Sequence, residues 1–191
     1  MKRYDIINAL IKKNRYTSYL ELGTDNKREN FDKIKCAKKF CVDVNPLTEA
    51  DFIGTTDEFF KQNQEQFDCI FVDADHDHKQ ALVDILNAIT AVASTGTIVC
   101  HDCNPEKEII QRVPRETLEW TGNVWKAIVK LKQISPIRIN TVDTDYGCAI
   151  IDFKPSETIQ VTVDKTYANL EKNRKEWLGL ITVEQFKEMY L

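Results

Sequence analysis

The chain has 191 residues, 42% of them apolar, which suits one domain with a sizeable core, since single domains commonly run about 100–200 residues. A net charge of -4 and a pI near 5.5 argue against a broad phosphate-binding surface, and so against nucleic acid as the partner. No charged-then-apolar leader opens the sequence and no apolar run approaches the roughly 18 residues of a membrane span, so a cytoplasmic protein without membrane contact is expected.

Residues 3–13 place Tyr4, Ile7 and Ile11, with Ile6 and Leu10, on one helical face, predicting a helix over a sheet edge or the mouth of a site. Residues 19–22 are a short apolar run broken by Glu21 and stopped by Gly23, which reads as a buried strand ending in a tight turn. Residues 30–38 predict a second helix with Phe31 and Ile34 inward, and a second strand then ends at Asp43. Residues 51–54 make a short third strand, and Thr55 to Glu58 has the spacing of a capping box that opens a helix. Residues 67–72 are almost continuously apolar, as expected of a central strand buried on both faces. Asp77 to Gln80 again has capping-box spacing, and Leu82, Ile85, Leu86, Ile89 and Ala93 form a helical stripe closed by Gly96.

Residues 97–100 form another buried strand, which delivers His101 and Asp102 to the same sheet end as Gly23, Asp43 and Asp73. Parallel sheets bind ligands outside the carboxyl ends of their strands, so these five residues should converge on one crevice. The stretch 103–123 lacks periodicity, and loops of that length are usually functional or disordered. Within it, residues 105–122 are expected to form a lid over the acceptor site, offering Arg112, Arg115 and Trp120. Val124, Ala127, Ile128 and Leu131 predict a further helix, and the strands 137–142 and 148–153 are joined too closely to be anything but antiparallel. Residues 155–191 end in a helix capped by Thr182 and Gln185. About 37 residues are too few for a separate core, so the organisation expected is one domain: an N-terminal helix (1–17), a core (18–154) and a docked appendage (155–191). Cys41, Cys69, Cys100 and Cys148 lie inside strand-like runs and read as reduced core thiols.

An acid about 20 residues after a strand-end glycine can accept from the ribose hydroxyls of a nucleoside, and Asp43 stands in that relation to Gly23. No further glycine precedes Gly54, so no pyrophosphate cradle is written. A phosphate-free cofactor asks for one glycine, an acid near its cationic part and an acid for its ribose, which Glu21, Gly23 and Asp43 supply. Here the chain resembles the class I S-adenosylmethionine-dependent methyltransferases, whose first motif is an acidic residue, any residue, then glycine. The resemblance implies an α/β, doubly wound, mostly parallel seven-stranded sheet of order 3-2-1-4-5-7-6 with an antiparallel C-terminal hairpin, a Rossmann-like methyltransferase fold. It also implies S-adenosylmethionine as cofactor, held by Glu21, Gly23, Thr24, Asp43, Val44, Asp57 and Asp73.

Residues 67–76, ending in Asp73-Ala74-Asp75-His76, and 96–102, ending in His101-Asp102, resemble a bacterial methyltransferase subgroup with Asp-x-Asp-His and His-Asp at these two strand ends. Related O-methyltransferases hold magnesium on aspartates at the same ends, which Asp73 and Asp102 match, while Cys103 takes the usual third ligand position and Asn104 follows one step late. His76 and His101 have ordinary pKa values near the range a general base needs, with Asp73 or Asp102 to orient one or hold a metal. The expected acceptor is an oxygen of a sugar-containing or other small metabolite, and a homo-oligomer is left open. Two other classes compete: a degenerate methyltransferase fold serving as a binding or interaction module, and a nicotinamide oxidoreductase, which the absent phosphate-binding glycines and Tyr-x-x-x-Lys pair disfavour. Solvated or capping roles compete for His76 and His78, an oriented structural pair for His101 with Asp102, a turn-capping role for Asp43, and packing roles for Trp120 and Trp125.

Overall fold

The computed structural model describes residues 1–191. The strands β1 (Ser18–Leu22), β2 (Lys38–Asp43), β3 (Phe52–Ile53), β4 (Phe67–Val72) and β5 (Val92–Cys100) pair in parallel. β6 (Ile137–Val142) and β7 (Cys148–Pro155) form the antiparallel hairpin, and β7 runs antiparallel to β5. The order is β3-β2-β1-β4-β5-β7-β6-β8, which reproduces the expected order and adds an eighth strand. That strand, β8 (Leu180–Ile181), is two residues of the C-terminal appendage lying parallel to β6.

Alternation along each strand sends side chains to two cores. In β1, Leu20 and Leu22 face the layer made by α2 (Thr56–Gln62), α3 (His78–Ala91), α4 (Trp125–Ile134) and α5 (Tyr167–Leu178). Tyr19 faces the other layer, made by α1 (Arg3–Asn14), α6 (Val183–Tyr190) and the turn around Phe31. α1 therefore covers a face of the sheet through Ile6, Ile7, Leu10 and Ile11, and not an edge. The appendage crosses the sheet edge, with Leu170 and Trp177 on one face and Phe186 and Tyr190 on the other. Trp125 is core, stacked on Trp177 with ring centroids 6.2 Å apart.

Four local expectations are corrected. Residues 30–38 give only a single 3-10 turn, Phe31–Lys33, because β2 already begins at Lys38 and Ile34 is extended; Phe31 and Ile34 are nevertheless buried. Asp77 caps α3 through the Lys79 amide, but no capping box forms, since the Gln80 amide is turned to Asp57 and Asp84. The buried face of α3 is Ala81, Asp84, Ile85, Ala88 and Ala91, while Leu86 is 40% exposed. Small alanines let the helix approach closely, and Asp84 is carried inside by hydrogen bonds from Thr56 (2.6 Å) and Gln80 (3.1 Å). Ala93 lies in β5, which begins at Val92 and not after Gly96.

Candidate active site

The parallel strands bring the ends of β1, β2, β4 and β5 to one edge of the sheet. Two adjoining features lie there. A cavity of about 300 Å³ is lined by Gly23, Asp43, Val44, Asp57, Ala74, Asp75 and Asp84, among others, and contains no Lys or Arg side chain. Beside it, Asp73, His76, His101 and Asp102 form a compact cluster, joined to the cavity through the Asp73-Ala74 backbone under Gly23. The five residues expected to converge on one crevice are thus shared between the cavity (Gly23, Asp43) and the cluster beside it (Asp73, His101, Asp102).

His101 is the better buried histidine, 5% exposed. Its Nδ1 lies 3.3 Å from both Asp73 Oδ1 and Asp102 Oδ1, and its Nε2 lies 3.7 Å from Asp145 Oδ2. Burial by itself would lower its pKa, but Asp73, Asp102 and Asp145 outweigh it and hold the imidazole well above its ordinary range. An imidazole held among three carboxylates favours its protonated form, which suits an anchoring role better than that of a base. Asp73 is its counterpart: burial would raise this carboxyl, yet His101 and His76 hold it well below the usual range. Burial pushes Asp102 up to about 6. His76 is the accessible member, with Nε2 3.5 Å from Asp102 Oδ2 and 3.7 Å from Asp73 Oδ1. Burial opposes its protonation, but the two carboxylates raise its pKa above 6.5.

The segment expected to be a lid packs against His76. The Trp120 ring stacks on the imidazole at 4.7 Å, the Asn123 amide donates to the His76 carbonyl (2.9 Å), and a Cβ on Gly122 would lie 2.1 Å from that carbonyl oxygen. Ile110 and Thr121 root the segment in the interior. Arg112 and Arg115 do not reach the cluster: Arg112 pairs with Glu108 and Glu116, and Arg115 donates to the Thr117 and Leu118 carbonyls. His78 lies outside the cluster, its amide on Asn123 Oδ1.

A sequence profile described as "Methyltransferase domain" matches residues 6–103, just over half of the chain. The chain belongs to the methyltransferase family. Its fold is similar to that of a Klebsiella pneumoniae protein provisionally described as an O-methyltransferase (TM-score 0.59, 13% identity, 80% of each chain covered). It is also similar to a Staphylococcus aureus protein provisionally described as a caffeoyl-CoA O-methyltransferase (0.59, 18%, 78% of this chain and 82% of that one). The S-adenosylhomocysteine-bound methyltransferase PaMTH1 of Podospora anserina is a third similar structure (0.56, 14%, 76% of each). No curated protein sequence matches.

Within this methyltransferase, two motif positions depart from the roles expected of them. Glu21 does not line the cavity: it is 1% exposed and accepts from Tyr19 Oη (2.5 Å) and Asn30 Nδ2 (2.6 Å) on the α1 side of the sheet. Thr24 is likewise buried, its amide on Asp43, and lies outside the cavity lining. Burial raises the Glu21 carboxyl from 4.5 to about 7. A carboxyl raised in the fold binds its proton there more tightly than in the unfolded chain, so stability falls as pH rises from about 4.5 to 7 and stays lower above it. Glu21→Gln should therefore be more stable than the parent at pH 8, by about 2–3 kcal/mol, and unchanged near pH 4. Denaturant melts at the two pH values check this, and a loss of stability at pH 8 would contradict it.

The donors at Asp73 and Asp102 fit magnesium poorly. The ion demands a near-octahedral oxygen shell, and the third group within 4.8 Å of both carboxylates is the His76 imidazole. The Cys103 thiol turns into the core towards the Cys100 and His101 carbonyls. The Asn104 amide is committed to Asp143 (2.9 Å) and Arg174 (2.5 Å). No step is routed through a metal here.

Sequence reasoning missed Arg3 and Asp145. The Asp145 side chain is 2% exposed, and it accepts from Lys2 Nζ (2.8 Å), the Arg3 amide (2.9 Å) and Arg3 Nη1 (3.3 Å). It fixes the start of α1 over His101, an arrangement with no local sequence signal.

Proposed function

We propose that the chain is an S-adenosylmethionine-dependent O-methyltransferase acting on a small hydroxyl-bearing acceptor, such as a sugar-containing metabolite. The observation that carries this reading is the cavity: Asp43, Asp57, Asp75 and Asp84 line it with no basic side chain. Such a lining favours a cationic, phosphate-free nucleoside and repels a pyrophosphate. The bound S-adenosylhomocysteine of PaMTH1 and S-adenosylmethionine of TomG, a similar fold from Streptomyces achromogenes (TM-score 0.53), support the same choice.

Gly23, Val44, Asp57 and Ala74 would form the walls against the cofactor, with Asp43 towards its ribose. When bound, the cofactor supplies a methyl group on a positively charged sulfur. His76 Nε2, 3.5 and 3.7 Å from the two carboxylates, would take the proton of the acceptor hydroxyl. Asp102 and Asp73 would then hold the imidazolium, leaving the deprotonated acceptor oxygen as the nucleophile for that methyl group. Trp120 keeps water from the imidazole face.

Asp43 Oδ2 already accepts from the Thr24 and Asp25 amides (2.8 Å each) and Oδ1 from the Asn45 amide (2.7 Å). That leaves Oδ1 as the oxygen with a free site for the ribose. This commitment also favours the second reading, a degenerate fold used as a binding module, in which Asp43 only ties loops together. Asp43→Ala separates the two. Loss of a charge-assisted contact should weaken S-adenosylmethionine binding by about 1.5–3 kcal/mol. Unchanged affinity with an intact circular dichroism spectrum would remove the cofactor placement.

A further inference from the structure

On the other side of α3 from the acidic cavity, a groove of about 620 Å³ runs between α3, α4 and the segment that leads into α5. Lys79, Lys126, Lys130 and Lys165 line it, with Asp164 the one acid among the lining residues. None of the four ammonium groups forms an ion pair, although acids outnumber bases 30 to 26 in the chain. Gathering like charges in a groove costs free energy that an anionic ligand would recover. Burial lowers the Lys126 pKa, and the Lys165 charge lowers it further against a partial offset from Asp77. Lys79 and Lys126 stand in the first turns of α3 and α4, where the helix dipoles add positive potential. Leu82, Val161 and Val163 give the groove an apolar wall.

We propose that this groove is a second ligand site, which binds an organic oxyanion, phosphate or carboxylate, with its carbon body against Leu82, Val161 and Val163. The site does not depend on the methyl-transfer reading. It is nevertheless close to the cluster, because Asn123 bonds both the His76 carbonyl and the His78 amide, and His78 lines the groove.

The test is calorimetric titration of the full chain with inorganic pyrophosphate and, separately, citrate at fixed ionic strength. Lys79→Gln/Lys130→Gln is the groove variant, chosen because both residues are exposed and the fold does not lean on them. Lys12→Gln/Lys172→Gln, exposed elsewhere, is the control of equal net charge. Millimolar or tighter binding of either anion, weakened about tenfold or more in the groove variant and unchanged in the control, is expected. Pyrophosphate bound in preference to citrate marks the ligand as a phosphate, and the reverse marks it as a carboxylate. Absence of binding for both anions, or an equal effect in the two variants, would overturn the site.

Discussion

Replacing His76 by Ala will lower turnover by about 10²–10⁴-fold while leaving S-adenosylmethionine affinity nearly unchanged. The separation follows from the geometry: His76 belongs to the Asp73–Asp102 cluster and is not part of the cavity lining. A base must be neutral to accept a proton, so activity should fall as pH drops through the His76 pKa. Asp73 and Asp102 raise that pKa against the effect of burial, which puts the acid limb of the parent enzyme above pH 6.5. The limb should vanish in the variant. Because the donors at Asp73 and Asp102 fit magnesium poorly, turnover of the parent should survive a chelator. Chelator-sensitive turnover with a normal rate for His76→Ala would reverse the assignment and return Asp73 and Asp102 to the role of metal ligands.

Gly23→Ala is the second large effect, and its physical cause lies in the sheet. Gly23 has φ +81°, a left-handed conformation that strains any L side chain. A Cβ there would lie 2.3 Å from the Asp73 carbonyl oxygen and 2.4 Å from Ala74 Cα, so the obstacle is backbone and the cofactor space is secondary. The Asp73 amide donates to the Leu22 carbonyl and the Gly23 amide to that of Val42 (2.9 Å each), so the strand ends cannot part without losing the ladder. We expect a stability loss of about 2–5 kcal/mol, read as a lower denaturant midpoint, together with loss of cofactor binding as Ala74 moves. An unchanged midpoint would show that β1 and β4 separate more easily than their contacts imply.

The legibility of these features in the sequence follows the range of the forces behind them. β4 and the second half of β5, residues 97–100, are readable because a strand segment buried on both faces is almost wholly apolar, and their ends locate Asp73, His101 and Asp102 together. β8 was not, since two residues carry no period. The α3 face was misread because periodicity weighs residue size: Leu86 looks inward by hydrophobicity, while Ala81 and Ala88 are the residues thin enough to meet the sheet. Glu21 reads as a site acid from its place before Gly23, but its environment is set by Tyr19 and by Asn30, in a segment read as helix. The Arg3–Asp145–His101 contact joins α1, a hairpin turn and the end of β5, and an aspartate in a turn has ordinary local reasons to be there. That contact favours His76 as the proposed base, a choice the sequence left open between the two histidines.

Calorimetric titration of the unmodified chain with S-adenosylmethionine, S-adenosylhomocysteine and NAD tests the central claim most directly. A cavity lined by four carboxylates and no cation should bind both sulfur nucleosides and leave NAD unbound. Binding of NAD in preference to them, or binding of none of the three, would contradict it.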